Sequence, residues 1–367
     1  MNTADNVTPV KVNRSLSKKL TALEAKSKAQ QIAFAPVVFK VAMALRNMKI
    51  LSAVEEAGDR GLTLPEIHRF TGVSIYGLHV LLDGGVQAGL LDIVEERYLL
   101  TYTGHFYLND EMTRVNADFV NDVCYKALNS LEESIATGSP HGLKEFGKWK
   151  TVYEGLSLLP DKVQQSWFAF DHFYSDDVFD KVIPKVLANK PSCIIDIGGN
   201  TGKFAIKCIQ HQPSITVTIV DLPAQLEMAK RNTWAYFLNG SIQLYTCDML
   251  HTDADLPKDA DVIWMSQFLD CFSEEQIVAI LKRCCAAMSE NTVVYILEPL
   301  TDAQKFDAAA FVVQLTSVYF TVVANGNSRM YALSEFEQMI KQAGLEIVSI
   351  EKGLGICQTL ITCRKKM

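Results

Sequence analysis

Several features are missing from this sequence, and each absence narrows what the protein can be. Its nine cysteines include no CxxC pair and no zinc-like spacing, so neither a disulfide framework nor a structural zinc site is expected, and reduced thiols suit a cytoplasmic location. No cluster of His, Cys and acids has metal spacing, and no metal is expected. The first twenty residues, MNTADNVTPVKVNRSLSKKL, have no apolar core and do not read as a secretory signal. No apolar run approaches the ~20 residues of a membrane span. There is no excess of positive charge either, and the formal charge of -7 argues against general affinity for nucleic acid or an anionic membrane. What remains is an ordinary globular mix, 49% hydrophobic and 21% charged, in a 367-residue chain with room for two or three domains.

Residues 1–20 are polar and expected to be a flexible N-terminus. From Ala22 to about Gly58, apolar residues recur at steps of three and four, as on a helix face. Thr63 and Glu66 form a capping box for a short helix, LPEIHRF, with Pro65 in its first turn, where the missing N–H costs nothing. Ser74 caps a further helix, and LLDIVEERYLLTYTG reads as two short strands around a charged turn. Helix, helix, turn, helix and hairpin make a winged-helix pattern. Its reading helix, Ser74 to Asp83, has no Lys or Arg, and residues 38–100 carry six basic against eight acidic side chains. DNA contact needs cations, so a packing or dimerisation module over 21–110 is the preferred reading. Residues 111–185 are expected to be a helical linker. Within them SWFAFDHFYSDDVF carries Trp167, Phe170 and Tyr174, aromatics that either fill a core or line a substrate pocket.

From Ser192 onward strands and helices alternate. CIIDI, TVTIVDL, IQLYTCDM, DVIWMSQF and TVVYILEP read as buried parallel strands, and two final strands close the chain. An α/β doubly wound sheet with an antiparallel edge strand is expected over 186–367. The first strand runs into Asp196-Ile197-Gly198-Gly199-Asn200-Thr201-Gly202, where missing Cβ atoms let the backbone turn sharply beside a ligand. Asp221, ending the second strand, suits two ribose hydroxyls. Asp248 and Met249, after the third, suit an adenine amino group and ring.

IIDIGGNTG, VDLP, CDML and NGNSRMYALSEFEQMIKQAGLE together resemble the S-adenosylmethionine-dependent O-methyltransferases of the caffeic acid and acetylserotonin type, over roughly residues 30–367. The resemblance implies a Rossmann-like class I methyltransferase domain, preceded by an intertwined homodimerisation domain that helps wall the substrate pocket. It implies that Asp196, Gly198, Gly199 and Gly202 hold the methionine part of S-adenosylmethionine. Asp221 and Leu222 would hold the ribose, and Asp248 and Met249 the adenine. Ser266 and Gln267 would also touch the cofactor, and Tyr174 would contact substrate.

In such relatives a histidine in L-H-D-W is the usual base. Here that motif reads Leu269-Asp270-Cys271-Phe272. Glu298 matches the first acid that orients the histidine, and Ser328 takes the place of the second. Asp270 has a reference pKa about 2.6 units below histidine, roughly 3.5 kcal/mol of proton affinity, unless burial raises it. Three readings follow. Asp270, partnered by Glu298, is a tuned base for O-methylation; or the enzyme methylates a ring carbon beside a phenol; or alignment alone suffices. A reading of another class is a cofactor-binding regulator or a catalytically dead dimer, with the winged helix as effector. Ser273 to Gln276, SEEQ, is a helix cap. His172 is a candidate substitute base.

Overall fold

The computed structural model describes residues 20–251, 255–258 and 260–366. Apart from Leu20, the flexible N-terminus expected over 1–20 lies outside the described residues. Contacts divide the chain between Arg114 and Val115 into two compact units.

In the first unit, helix α1 (Ala22–Asn47) starts where Thr21 and Glu24 cap each other, with Thr21 N donating to Glu24 Oε2 at 2.7 Å. Lys49 turns left-handed (φ 60°) and separates α1 from α2 (Ile50–Glu56). After strand β1 (Leu62–Thr63) comes α3 (Leu64–Thr71), where Thr63 N and Oγ1 donate to Glu66 Oε2 at 2.8 and 3.0 Å. Ser74 Oγ then accepts from Gly77 N and starts α4 (Ile75–Gln87). Strands β2 (Leu91–Val94) and β3 (Arg97–Leu100) form a hairpin, and β1 pairs with β3 on its other side. Leu45, Ile50, Leu51, Ile67, Leu78 and Leu82 fill the core beneath.

The second unit is built on strands β4 (Cys193–Ile197), β5 (Thr216–Asp221), β6 (Ile242–Thr246), β7 (Val262–Ser266), β8 (Val293–Glu298), β9 (Leu345–Leu354) and β10 (Gln358–Lys365). They lie in the order β6-β5-β4-β7-β8-β10-β9. The first five are mutually parallel, and β10 runs antiparallel to both neighbours. The antiparallel strand is therefore not the edge expected from the sequence. The closing hairpin folds so that β10 inserts between β8 and β9. Ile361 and Cys363 of β10 are fully buried, whereas Val348 of β9 is exposed, so the more apolar strand takes the inner place.

The direction of winding reverses between β4 and β7. A crevice opens there at their carboxyl ends, the place where open α/β sheets bind ligands. The floor nearby is aromatic. Trp264 of β7 is fully buried and lies flat on Phe204 at 4.1 Å between ring centroids, with Phe179 edge-on.

One expectation needs correction. The run Asp307–Ala324 has a mean hydropathy of 1.5 and is long and apolar enough to cross a membrane. Val313, Tyr319, Phe320, Val322 and Val323 of this run pack inside the second unit, which accounts for an apolar helix in a folded domain.

Truncating Trp264 to Ala removes the stacked ring under the crevice. It should destabilise this unit by about 3–5 kcal/mol, read as a lower urea midpoint for the second unit's transition.

Candidate active site

The glycine loop after β4 is shaped by conformation and by close approach. Gly198 (φ +72°) and Gly202 (φ +80°) are left-handed. A Cβ on Gly198 would lie 2.3 Å from the Phe268 ring, and one on Gly199 would lie 2.7 Å from Asp196 Oδ2. The crevice beside this loop is lined by Asp196, Gly198, Gly199, Asn200, Ser266 and Gln267, with Asp171, His172, Ser175 and Asp176 on the facing helix Asp161–Val186. Asp196 Oδ2 and Ser266 Oγ are buried and accept or donate no hydrogen bond among the described residues. Burial, then the neighbouring Asp221 charge, pushes Asp196 up to about 8. A narrow glycine cradle with orphaned oxygens suits a ligand bearing an ammonium group and hydroxyls.

Asp221 ends β5 beside the same loop. Its Oδ2 accepts from Asn200 N at 2.9 Å and its Oδ1 from Leu222 N at 2.8 Å. Burial raises it to about 6 although both N–H groups pull it down. Each oxygen keeps a second lone pair for a ribose hydroxyl. Asp248 lies further out, its oxygens taken by Leu250 N and His251 Nδ1. Met249 is buried in the core, and Arg283 donates to the Asp248 and Met249 carbonyls at 3.0 and 2.8 Å. None of Gly202, Asp221, Leu222, Asp248 and Met249 lines the crevice, and Asp221 reaches its loop through Asn200 N.

On the other side, a short 3-10 turn (Leu269–Cys271) follows β7 and carries Asp270, which is 5% exposed. Burial is the main force on its carboxyl, which rises to about 7. The Cys271 thiol, donating to Oδ1 at 3.4 Å, opposes this, and the Asp171 charge adds to it. Glu298, 1% exposed, does not hydrogen-bond the Asp270 carboxyl as a base's partner would. Its Oε1 instead accepts from Phe268 N (3.0 Å) and Leu269 N (2.8 Å) and holds the turn itself. The expected side-chain pairing is corrected to a backbone clamp, because the turn presents two N–H groups to the end of β8. Ser328 likewise stays within its loop, bonded to Asn325, whose Nδ2 donates to Cys271 O at 2.6 Å.

Trp167, Phe170 and Tyr174 do not line the crevice and are engaged elsewhere in this unit. Trp167 Nε1 donates to Tyr319 Oη at 2.6 Å, Phe170 stacks on Phe119 at 4.0 Å, and Tyr174 Oη donates to Asn116 Oδ1 at 2.8 Å. Tyr153, Tyr319 and Asp171 were not singled out from the sequence, yet they join this site. Burial raises the Tyr153 phenol well above the usual range, and the Cys271, Tyr319 and Asp270 charges add to this. Only Asp171 carried a signal, one helical step from the aromatic stripe. His172 pairs with Asp176 (3.5 Å) and stacks on Phe168, at the cofactor side of the helix. Arg329 is held by Glu335 and Glu274, and Ser273 and Gln276 cap the helix Glu274–Ala287 as expected.

Glu298 gives a stability test. Glu298→Ala leaves two buried N–H groups unpaired and should cost about 2–5 kcal/mol, whereas Glu298→Gln keeps an acceptor. Burial, and then the Asp270 charge, hold Glu298 well above its ordinary value. The folded chain therefore keeps a proton that the unfolded chain has lost, and stability falls as pH rises past the ordinary glutamate value. Glu298→Gln removes that slope and should gain on wild type progressively as pH rises above the ordinary glutamate value. Urea midpoints across that range check this; a constant difference would rule out a buried, protonated Glu298.

Comparison with known proteins agrees with this geometry. A family profile described as an O-methyltransferase domain matches residues 174–346, and one described as a Dimerisation2-like domain matches residues 26–98. The chain is similar to 3-hydroxy-5-methyl-1-naphthoate 3-O-methyltransferase of Streptomyces sahachiroi, 31% identical over 287 residues, covering 76% of this chain and 79% of that one. It is also similar to L-tyrosine C(3)-methyltransferase of Streptomyces lavendulae, 24% identical over 288 residues, 77% of each chain. Among solved structures, the S-adenosylmethionine-dependent methyltransferase SibL in its apo form has the same fold. Its TM-score is 0.70 at 19% identity, over 93% of this chain and 99% of that one. Human N-acetylserotonin methyltransferase in complex with SAM has a TM-score of 0.61 at 17% identity, over 96% and 99%. With a reversed-order sheet, a glycine cradle at its switch point and these relatives, the chain belongs to the S-adenosylmethionine-dependent O-methyltransferase family that carries an N-terminal dimerisation domain.

Proposed function

We propose that this enzyme methylates a small hydroxylated aromatic compound, on oxygen, at the turn after β7. The observation that carries the reading is a desolvated Asp270 that feels the charge of Asp171 in the crevice lining, at the sequence position where the family resemblance puts a histidine. Asp196, Gly198, Gly199 and Gly202 would receive the methionine part of the cofactor, and Asp221 with Leu222 the ribose. Asp248 and Met249 would hold the adenine, and Ser266 and Gln267 the middle. Trp167, Phe170 and Tyr174 would wall the acceptor. S-adenosylmethionine, when bound, supplies a methyl group already activated on a sulfonium.

The chain's task is then alignment and proton removal. A phenol of pKa about 10 facing a carboxyl near 7 must give up its proton against roughly 4 kcal/mol, compared with roughly 8 kcal/mol for an ordinary aspartate. Burial thus does for Asp270 part of what the histidine does in relatives. The clamp from Glu298 keeps the carboxylate in place while the proton moves.

A second reading is favoured by the same missing histidine and by the relative named for tyrosine C(3)-methylation. An ionised phenol pushes electron density to its ortho carbon, a carbon–carbon bond forms as the carbon–sulfur bond breaks, and a carboxylate takes the ring proton.

The first unit would serve as a winged-helix dimerisation module in a cytoplasmic homodimer. The Dimerisation2-like match, exposed Leu23, Ile32, Phe34 and Val37 on α1, and nine free thiols support this.

Incubation with S-adenosylmethionine and a panel of catechols, naphthols and other phenols should yield a singly methylated product, with the methyl placed on oxygen by NMR. A ring-methyl product would move the assignment to C-methylation. For wild type, kcat/KM should rise with pH through about 7 and level off. Asp270→Asn should lose that limb and about 10²–10⁴-fold in rate; an unchanged profile would remove Asp270 as the base.

A further inference from the structure

We infer that Gln358, which does not line the crevice, sets the distance between its two walls and is a positioning residue for methyl transfer. This rests on the reading of the crevice as the cofactor site. Gln358 opens β10 and is fully buried. Its Nε2 donates to Tyr174 O at 3.0 Å and to Gln267 Oε1 at 2.9 Å. Both partners are acceptors, so the amide has one orientation that satisfies them; the flipped one would set oxygen against oxygen. Tyr174 belongs to the helix that brings Asp171, His172, Ser175 and Asp176 to the crevice. Gln267 lines the opposite side with Ser266. One carboxamide therefore ties the helical wall to the strand wall.

Two further features mark this contact as a strut. Gln267 is left-handed (φ +45°), an unusual state for a residue with a Cβ. Its N–H is held by Leu297 O at 2.9 Å and its side chain by Gln358. Gln358 is itself anchored, since Gln304 Nε2 donates to the preceding carbonyl, Cys357 O, at 2.9 Å and to Leu300 O at 2.6 Å. The remaining atom, Gln358 Oε1, is buried without a partner among the described residues. A leucine would fill the same space without a buried, half-satisfied amide, so packing alone does not call for glutamine. In-line methyl transfer does, because a small error in the spacing of donor and acceptor lowers the rate steeply.

Calorimetry with S-adenosylhomocysteine tests this alongside steady-state kinetics. Gln358→Leu should fold, weaken S-adenosylhomocysteine binding about tenfold and lower kcat, with the KM for the acceptor little changed. Gln267→Leu severs the strut from its accessible end and should lose at least as much, since Gln267 also lines the crevice, which keeps the test open if Gln358→Leu does not fold. The double variant should be no worse than Gln267→Leu alone, since both lack the same bond. Unchanged affinity and kcat in a folded single variant, or losses that simply add, would overturn the strut. Wild type that fails to bind S-adenosylhomocysteine would instead overturn the cofactor reading beneath it, and the strut with it.

Discussion

The clamp of Glu298 on the turn after β7 is the contact on which both halves of the site depend. Oε1 holds Phe268 N and Leu269 N, so the end of β8 fixes the path of the chain leaving β7. That path fixes where the Asp270 side chain sits. It also presses the Phe268 ring into the space left by the missing Cβ of Gly198. The glycine loop and the candidate base are thereby registered to each other through one buried carboxyl. A backbone clamp suits this task better than a side-chain pair, since it constrains the turn and leaves the Asp270 carboxyl available.

Electrostatics make a second theme. Asp196, Asp221, Asp270 and Glu298 are all raised, with burial the leading cause in each. Keeping four acids in a poorly solvated region is costly unless protons or a cation offset their charge. Lys203, at the rim, is committed to Asp176. A cofactor that brings a sulfonium and an ammonium group would supply positive charge beside the Asp196 and Asp221 pair. The same desolvation lets an aspartate approach the proton affinity of the histidine it replaces.

Much of this was legible in the residues themselves. The capping boxes at Thr63 and Ser273, the strand runs and the glycine loop are local signals, each set by neighbours within a few positions. The position of Asp270 was legible for the same reason, since it follows closely on a strand run. What Glu298 does was not. An acid at a strand end looks the same whether it meets an imidazole or two main-chain N–H groups, and only the path of the turn decides which. The antiparallel strand was misplaced at the edge because periodicity tells which faces are buried but not which neighbour a strand takes. Tyr153 and Tyr319 left no trace, since an aromatic at helical spacing reads as core wherever it points.

The sequence alone determined the alternation of strand and helix, the turns that need glycine and the set of acids at the carboxyl ends of the strands. These follow from backbone sterics and from patterns a few residues long. Tertiary structure decided which of those acids are stripped of water, which oxygen holds which N–H, and that Gln358 reaches Tyr174 across 184 positions and Gln267 across 91. Such contacts depend on where distant segments meet, and burial, which sets proton affinity, exists only after they have met.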